Sequence, residues 1–259
     1  MLAALLVVQL IGAVVLLAVP GAPPADAPLI VGDHRTVILE NRGGGPGEAL
    51  LTRIADNISD AVDAVEAFWG TDWPHRIEVT VAGSAREFAD LAGGGTADVA
   101  QWADVAAVAV ADRVDPERRV AAGQRIVFAP GAAAMSTPAL RIVLAHELFH
   151  YAARAETALD APRWLTEGVA DFVARPAGPG APAGALPSDG DLDAPGPRRA
   201  QAYDRAWGFA RFVAERFGTA KLRELYLAAC GPGHTDVASA VHRALGSTLA
   251  EVLAEWRRG

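Results

Sequence analysis

Apolar positions recur at helical spacing from residue 48 to 69, where Leu51, Ile54, Ala55, Ile58, Val62, Val65 and Phe68 share one face and Gly70 closes the run. Shorter runs around it alternate or are rich in β-branched residues. Residues 36–40 and 77–81 read as strands, as do 105–111 and 125–129, with Asp115-Pro116 in the turn between the last two. Ser84 followed by Glu87 has the capping-box spacing, opening a short helix that ends in Gly93-Gly94-Gly95. From Thr137-Pro138 onward the pattern is helical: 137–153, then 162–174. Three or four terminal helices follow, broken at Gly218, Gly231-Pro232-Gly233 and Gly246, with Ser247 capping the last. Between these blocks, residues 176–197 are rich in Pro, Gly and Asp and read as a mobile surface loop.

This order predicts an α+β fold. A mixed α/β subdomain with a small sheet (29–135) precedes a helical subdomain (136–259), and helix 137–153 stands at the junction. Ahead of both, residues 2–19 are almost wholly apolar and stop at Pro20, with a Pro/Ala linker to residue 28. Such a segment reads as a signal peptide or membrane anchor, which makes the membrane an expected partner and places the remainder outside the cytoplasm.

Composition narrows the function classes. The 259 residues are 51% hydrophobic and 21% charged, an ordinary globular balance. Net charge is −8, and the scattered Lys and Arg form no stripe matching a row of phosphates, so nucleic acid is not an expected partner. A single cysteine, Cys230, excludes an intramolecular disulfide and a C-x-x-C metal site.

The chemistry lies in His146-Glu147-Leu148-Phe149-His150, an H-E-x-x-H inside an apolar helix. Residues i and i+4 share a helical face, so both imidazoles can reach one zinc ion, and Glu147 is placed to act as general base. A catalytic zinc needs a third protein ligand. His34, His75, His234 and His242 lie far off in turns or terminal helices, and Glu167, opening the next helix, is the better candidate. Asp171, four residues on, can accept the remaining N–H of a ligating histidine.

HELFH followed by P-R-W-L-T-E-G-V-A-D-F resembles the gluzincins, zinc metallopeptidases of zincin fold, and specifically the bacterial peptidase MA-like domains. Ala202-Tyr203, Trp207-Gly208-Phe209, Arg216-Phe217-Gly218 and Leu253-Ala254-Glu255-Trp256 are similar to that family's C-terminal helices, and the resemblance spans about residues 75–259. It implies His146, His150 and Glu167 as zinc ligands, Glu147 as general base and Asp171 as the partner of a ligating histidine. The implied activity is hydrolysis of peptide bonds in a peptide or protein substrate. The spacing from His150 to Glu167 is a little shorter than in the best-known gluzincins, and the G-x-M-E-N mark of aminopeptidases is absent. Tyr203, with His234 as second choice, is the expected donor to the developing negative charge. In that fold the strand at 125–129 is expected to border the cleft. Beside this reading stand three others: an inactive zincin-fold binding protein of the cell envelope, a non-peptidase zinc hydrolase, and a coincidental motif in a helical protein.

Overall fold

The computed structural model describes residues 29–258 apart from 33, 94–98 and 176–182. Its strands are β1 (Leu29–Val31), β2 (Arg35–Asn41), β3 (Arg76–Val81), β4 (Ala107–Val110), β5 (Arg113–Asp115), β6 (Val120–Ala122) and β7 (Arg125–Phe128). Helices α1 (Gly44–Ala55), α2 (Ile58–Trp69) and α3 (Ala85–Leu91) belong to the first half. The second half holds α4 (Thr137–Ala153), α5 (Arg163–Ala174), α6 (Asp189–Leu192), α7 (Pro197–Phe217), α8 (Thr219–Cys230), α9 (Val237–Leu245) and α10 (Leu249–Trp256). This is the expected α+β arrangement, with a small mixed sheet followed by helices.

The sheet order is β1-β2-β3-β7-β4, and β5 pairs only with β6. Strands β2, β3 and β7 run parallel, whereas β1 and β4 close the two edges antiparallel. Side-chain alternation turns Ile77, Val79, Val81, Ile126, Phe128, Ala107 and Ala109 toward the helices, where they join one apolar cluster reaching as far as Trp256. Val127 points the other way, onto Phe88 of α3.

Helix α4 sits at the centre of this cluster. Ser136 caps it through the Ala139 amide, and Leu140, Leu144, Leu148 and Phe149 are fully buried. The Phe149 ring meets Trp69 at 5.6 Å and Tyr226 at 5.6 Å, both edge-on, so α4 is fixed between α2 and α8. Tyr151 Oη donates to the Arg76 carbonyl at 2.6 Å and ties the same helix to β3. Helix α5 packs against α4 and α7. Its Gly168 allows that approach: a Cβ there would lie 2.5 Å from the Ala206 carbonyl oxygen of α7.

Several expectations need correction. The strand at 125–129 does not border a free edge: β7 is taken up between β3 and β4, and the edge belongs to β4. The helix read across 48–69 is two helices. Asn57, almost fully buried, turns its side-chain amide onto the Arg53 carbonyl at 2.6 Å and breaks the backbone ladder while the apolar period continues in phase. The last helix is capped by Thr248 rather than Ser247, in a reciprocal capping box with Glu251. Within 176–197 a one-turn helix, α6, forms on a Ser188–Asp191 capping box and buries Leu192. The membrane partner is also withdrawn. Among the described residues no helix is long and apolar enough to cross a membrane, and the apolar segment at 2–19 lies outside them.

Candidate metal centre

Helix α4 projects His146 and His150 from one face, one turn apart, with ring centroids 4.8 Å from each other. Helix α5, packed on α4 and set against α7 at Gly168, brings Glu167 opposite. His146 Nε2 lies 3.1 Å from Glu167 Oε2, His150 Nε2 3.3 Å from the same oxygen, and the two Nε2 atoms are 3.1 Å apart. Their side chains are largely buried but keep 12%, 17% and 16% exposure for His146, His150 and Glu167, so solvent reaches the group.

The donor set fits a zinc ion. Three atoms at the corners of so small a triangle share a point roughly 2.0–2.1 Å from each, just off their plane, which is the bond length zinc makes to imidazole nitrogen and carboxylate oxygen. Asp171 Oδ1 lies 2.9 Å from His146 Nδ1 and only accepts, so Nδ1 carries the hydrogen and the neutral ring presents a bare Nε2 to the cluster. His146 Nε2 and Glu167 Oε2 are therefore two acceptors 3.1 Å apart, with His150 Nε2 3.1 and 3.3 Å from them, an arrangement that calls for a cation or a shared proton. The same contacts shift the protonation of His146 and Glu167 in opposite directions. Burial works to lower the His146 pKa, but hydrogen bonds to Asp171 and Glu167 outweigh it and hold the imidazole well above its ordinary range. Burial works to raise Glu167, and the charge of His150 with the hydrogen bonds to both imidazoles holds it well below the usual carboxylate range.

Asp171 is fastened in turn. Arg175 Nη2 donates to its Oδ2 at 2.6 Å, and Arg175 Nη1 donates to Asp204 Oδ1 of α7 at 2.7 Å. The guanidinium also lies over Trp207, 5.1 Å from the ring centroid. This clamp joins α5 to α7 directly behind His146.

Glu147 points from α4 to the sheet edge, where its Oε2 accepts the Ala109 N–H of β4 at 2.7 Å. Burial raises its pKa, and the neighbouring imidazoles pull against that rise. Tyr203, on α7, stands with its ring centroid 6.2 Å from that of His146. Burial, reinforced by the charges of Glu167, Glu147 and Asp171, pushes its phenol up and keeps the O–H as a donor. His234 is elsewhere, paired with Asp160 at 3.2 Å. Among the described residues, His146, His150 and Glu167 are the group able to hold a metal ion, and His34, His75 and His242 take no part.

Residues 82–158 match the family model described as the eCIS core domain. That family is associated with a zincin-like, metallopeptidase-related fold. The match takes in β4, β7 and α4 with its HELFH motif, less than a third of the chain, and stops before Glu167 and Asp171. None of the curated proteins compared matches the chain.

Three participants were not legible in the sequence. Ala109 contributes a backbone amide, which no residue pattern announces. Arg154 donates to the Ala109 carbonyl at 2.6 Å across 45 positions of chain. Arg175 left a trace, since it follows Asp171 by four residues, the spacing at which opposite charges meet on a helix.

Proposed function

We propose that the chain is a zinc-dependent metallopeptidase of the gluzincin type, acting on a peptide or protein substrate. The observation that carries this reading is the convergence of His146 Nε2, His150 Nε2 and Glu167 Oε2, with the carboxylate of Glu147 beside them. His146, His150 and Glu167 hold the zinc in this proposal, two imidazoles and a carboxylate being a donor set of hydrolytic zinc sites. When bound, the ion supplies Lewis acidity that polarises a carbonyl group and makes water more acidic.

Glu147 takes the proton of the attacking water and delivers it to the leaving amine. Ala109 engages its Oε2, which leaves Oε1 to carry the proton. Burial raises its pKa against the pull of the two imidazoles, which makes the carboxylate a better proton acceptor. Asp171 fixes His146 in the tautomer that offers Nε2, and Arg175 fixes Asp171. The Tyr203 hydroxyl, held protonated, is the donor for charge developing on the substrate carbonyl oxygen.

The test is digestion of a peptide library by the zinc-loaded chain, read by mass spectrometry beside the Glu147→Gln variant. Cleavage by the wild type that the variant loses supports the reading. Equal silence from both proteins, with zinc bound in each, would leave a zinc-holding protein that is not a peptidase.

A further inference from the structure

Strand β4 closes the sheet, so every second residue turns its backbone N–H and C=O away from β7. The Ala129 N–H reaches the Ala106 carbonyl at 2.8 Å, which sets the alternation: Ala106, Val108 and Val110 face β7, whereas Ala107 and Ala109 face outward. An outward pair on an edge strand ordinarily meets solvent or another strand. At Ala109 both groups are taken by side chains of one helix. Its N–H donates to Glu147 Oε2 at 2.7 Å, and its carbonyl accepts from Arg154 Nη2 at 2.6 Å.

Glu147 and Arg154 lie two turns apart on α4 and its C-terminal cap, so the helix grips a single residue of the strand from both sides. Arg154 is half-buried and makes no ion pair with a carboxylate among the described residues, in contrast to Arg119, Arg125 and Arg175. Its contact is a neutral carbonyl at the base's own docking point. Val108 and Val110 stay in the β7 ladder on either side, so what Arg154 sets is the distance of this edge from α4, and without it the spacing at which the Ala109 N–H meets Glu147 is fixed by no second contact from the helix.

We propose that Arg154 is a positioning residue for Glu147, acting through Ala109: it pins the edge strand so that the Ala109 amide holds one carboxylate oxygen in place. The proposal rests on Glu147 being the base, but its geometric part stands apart from any activity. It also closes Ala109 to an extended substrate, so a peptide adding to this edge pairs at Ala107.

The test uses the zinc-loaded full chain with Arg154→Met, which keeps the aliphatic stem, and with Arg154→Lys and Glu147→Ala. Residue-resolved amide hydrogen exchange is read first. Glu147→Ala and Arg154→Met both speed exchange of the Ala109 amide by on the order of tenfold or more, the Ile126 and Val108 amides keep wild-type rates, and Arg154→Lys restores part of the protection. An Ala109 amide that stays protected in Arg154→Met overturns the proposal, because Arg154 does not touch that N–H. Peptide cleavage is read second. Arg154→Met lowers kcat by about 10- to 100-fold, the scale of a catalytic group misplaced by an ångström, with KM and zinc content unchanged. A rise in KM with kcat intact would make Arg154 a substrate contact and also overturn it. A wild-type chain without cleavage defeats the peptidase reading alone and leaves the exchange result to decide the strap.

Discussion

His146 and Asp171 meet across the α4–α5 interface, Nδ1 to Oδ1 at 2.9 Å, and Asp171 is 3% exposed whereas the His146 side chain keeps 12% exposure and turns its Nε2 to Glu167 and His150. A buried acceptor behind the ring and the metal-site cluster in front give the imidazole one orientation and one tautomer. Replacing Asp171 by Asn weakens zinc binding by about 10- to 100-fold, the range for partners of this kind, without removing any atom that touches the ion. Arg175→Met weakens it by a smaller factor, because Asp171 stays in place but loses its clamp. Competition with a zinc chelator of known affinity ranks the three proteins.

Proton and zinc compete for the same nitrogen. The His146 pKa in the metal-free fold lies well above its ordinary value, against the pull of burial, and that of Glu167 lies well below. A raised histidine contributes stability that is present below the unfolded pKa, about 6.5, and is lost as pH rises through the folded value. A depressed carboxylate contributes stability that is present above its unfolded pKa, about 4.3, and is lost as pH falls through the folded value. The metal-free chain therefore draws most from this cluster between about pH 4.5 and 6.5. The increase in Tm on adding zinc grows with pH above that window, where the proton no longer competes. Thermal melts with and without zinc from pH 5 to 8 check the sign, and a zinc effect largest at pH 5 would refute it.

Gly168 places Glu167 by letting α5 lie against α7. A Cβ at that position meets the Ala206 carbonyl oxygen at 2.5 Å and the carbonyl carbon at 2.7 Å, both backbone, so neither rotates aside. Gly168→Ala destabilises the chain by about 1–3 kcal/mol, as overpacking does, and reduces zinc affinity. Because the collision is with backbone, adding Ala206→Gly does not restore binding. Denaturant melts and zinc titration of the single and double variants decide.

Phe149 carries no chemistry but sets the height of α4. It is fully buried, with Phe68, Trp69 and Tyr226 edge-on around it. Phe149→Ala costs about 3–5 kcal/mol of stability, the usual range for emptying such a site. Phe149→Leu costs less and keeps zinc binding, which separates loss of packing from loss of the metal centre in the same denaturation series.

Sequence and structure agree where side-chain period alone decides the outcome. The α+β order and the strands at 77–81 and 125–128 follow from alternation, and His146 and His150 share a face because four residues make a turn. Agreement fails where a polar side chain or a distant backbone decides. Asn57 breaks a helix whose apolar period never falters, and the edge position of β4 follows from β7 pairing with the distant β3 on its other side. Glu167 was readable as an acid on the next helix. Its arrival 3.1 Å from His146 depends on a Gly168–Ala206 approach that no local pattern contains. The grip of Glu147 and Arg154 on Ala109 is of the same kind, a contact with backbone whose residue identity carries no signal.

Zinc content is the measurement closest to the central claim. The full chain, reconstituted with zinc and freed of excess, is assayed by elemental analysis beside His146→Ala and Glu147→Gln. The account predicts one zinc per chain in the wild type, its loss in His146→Ala and its retention in Glu147→Gln, which removes a base without removing a ligand. A wild-type chain that folds yet holds no zinc would contradict it, and the convergence of His146, His150 and Glu167 would then be a hydrogen-bonded cluster in a helical core.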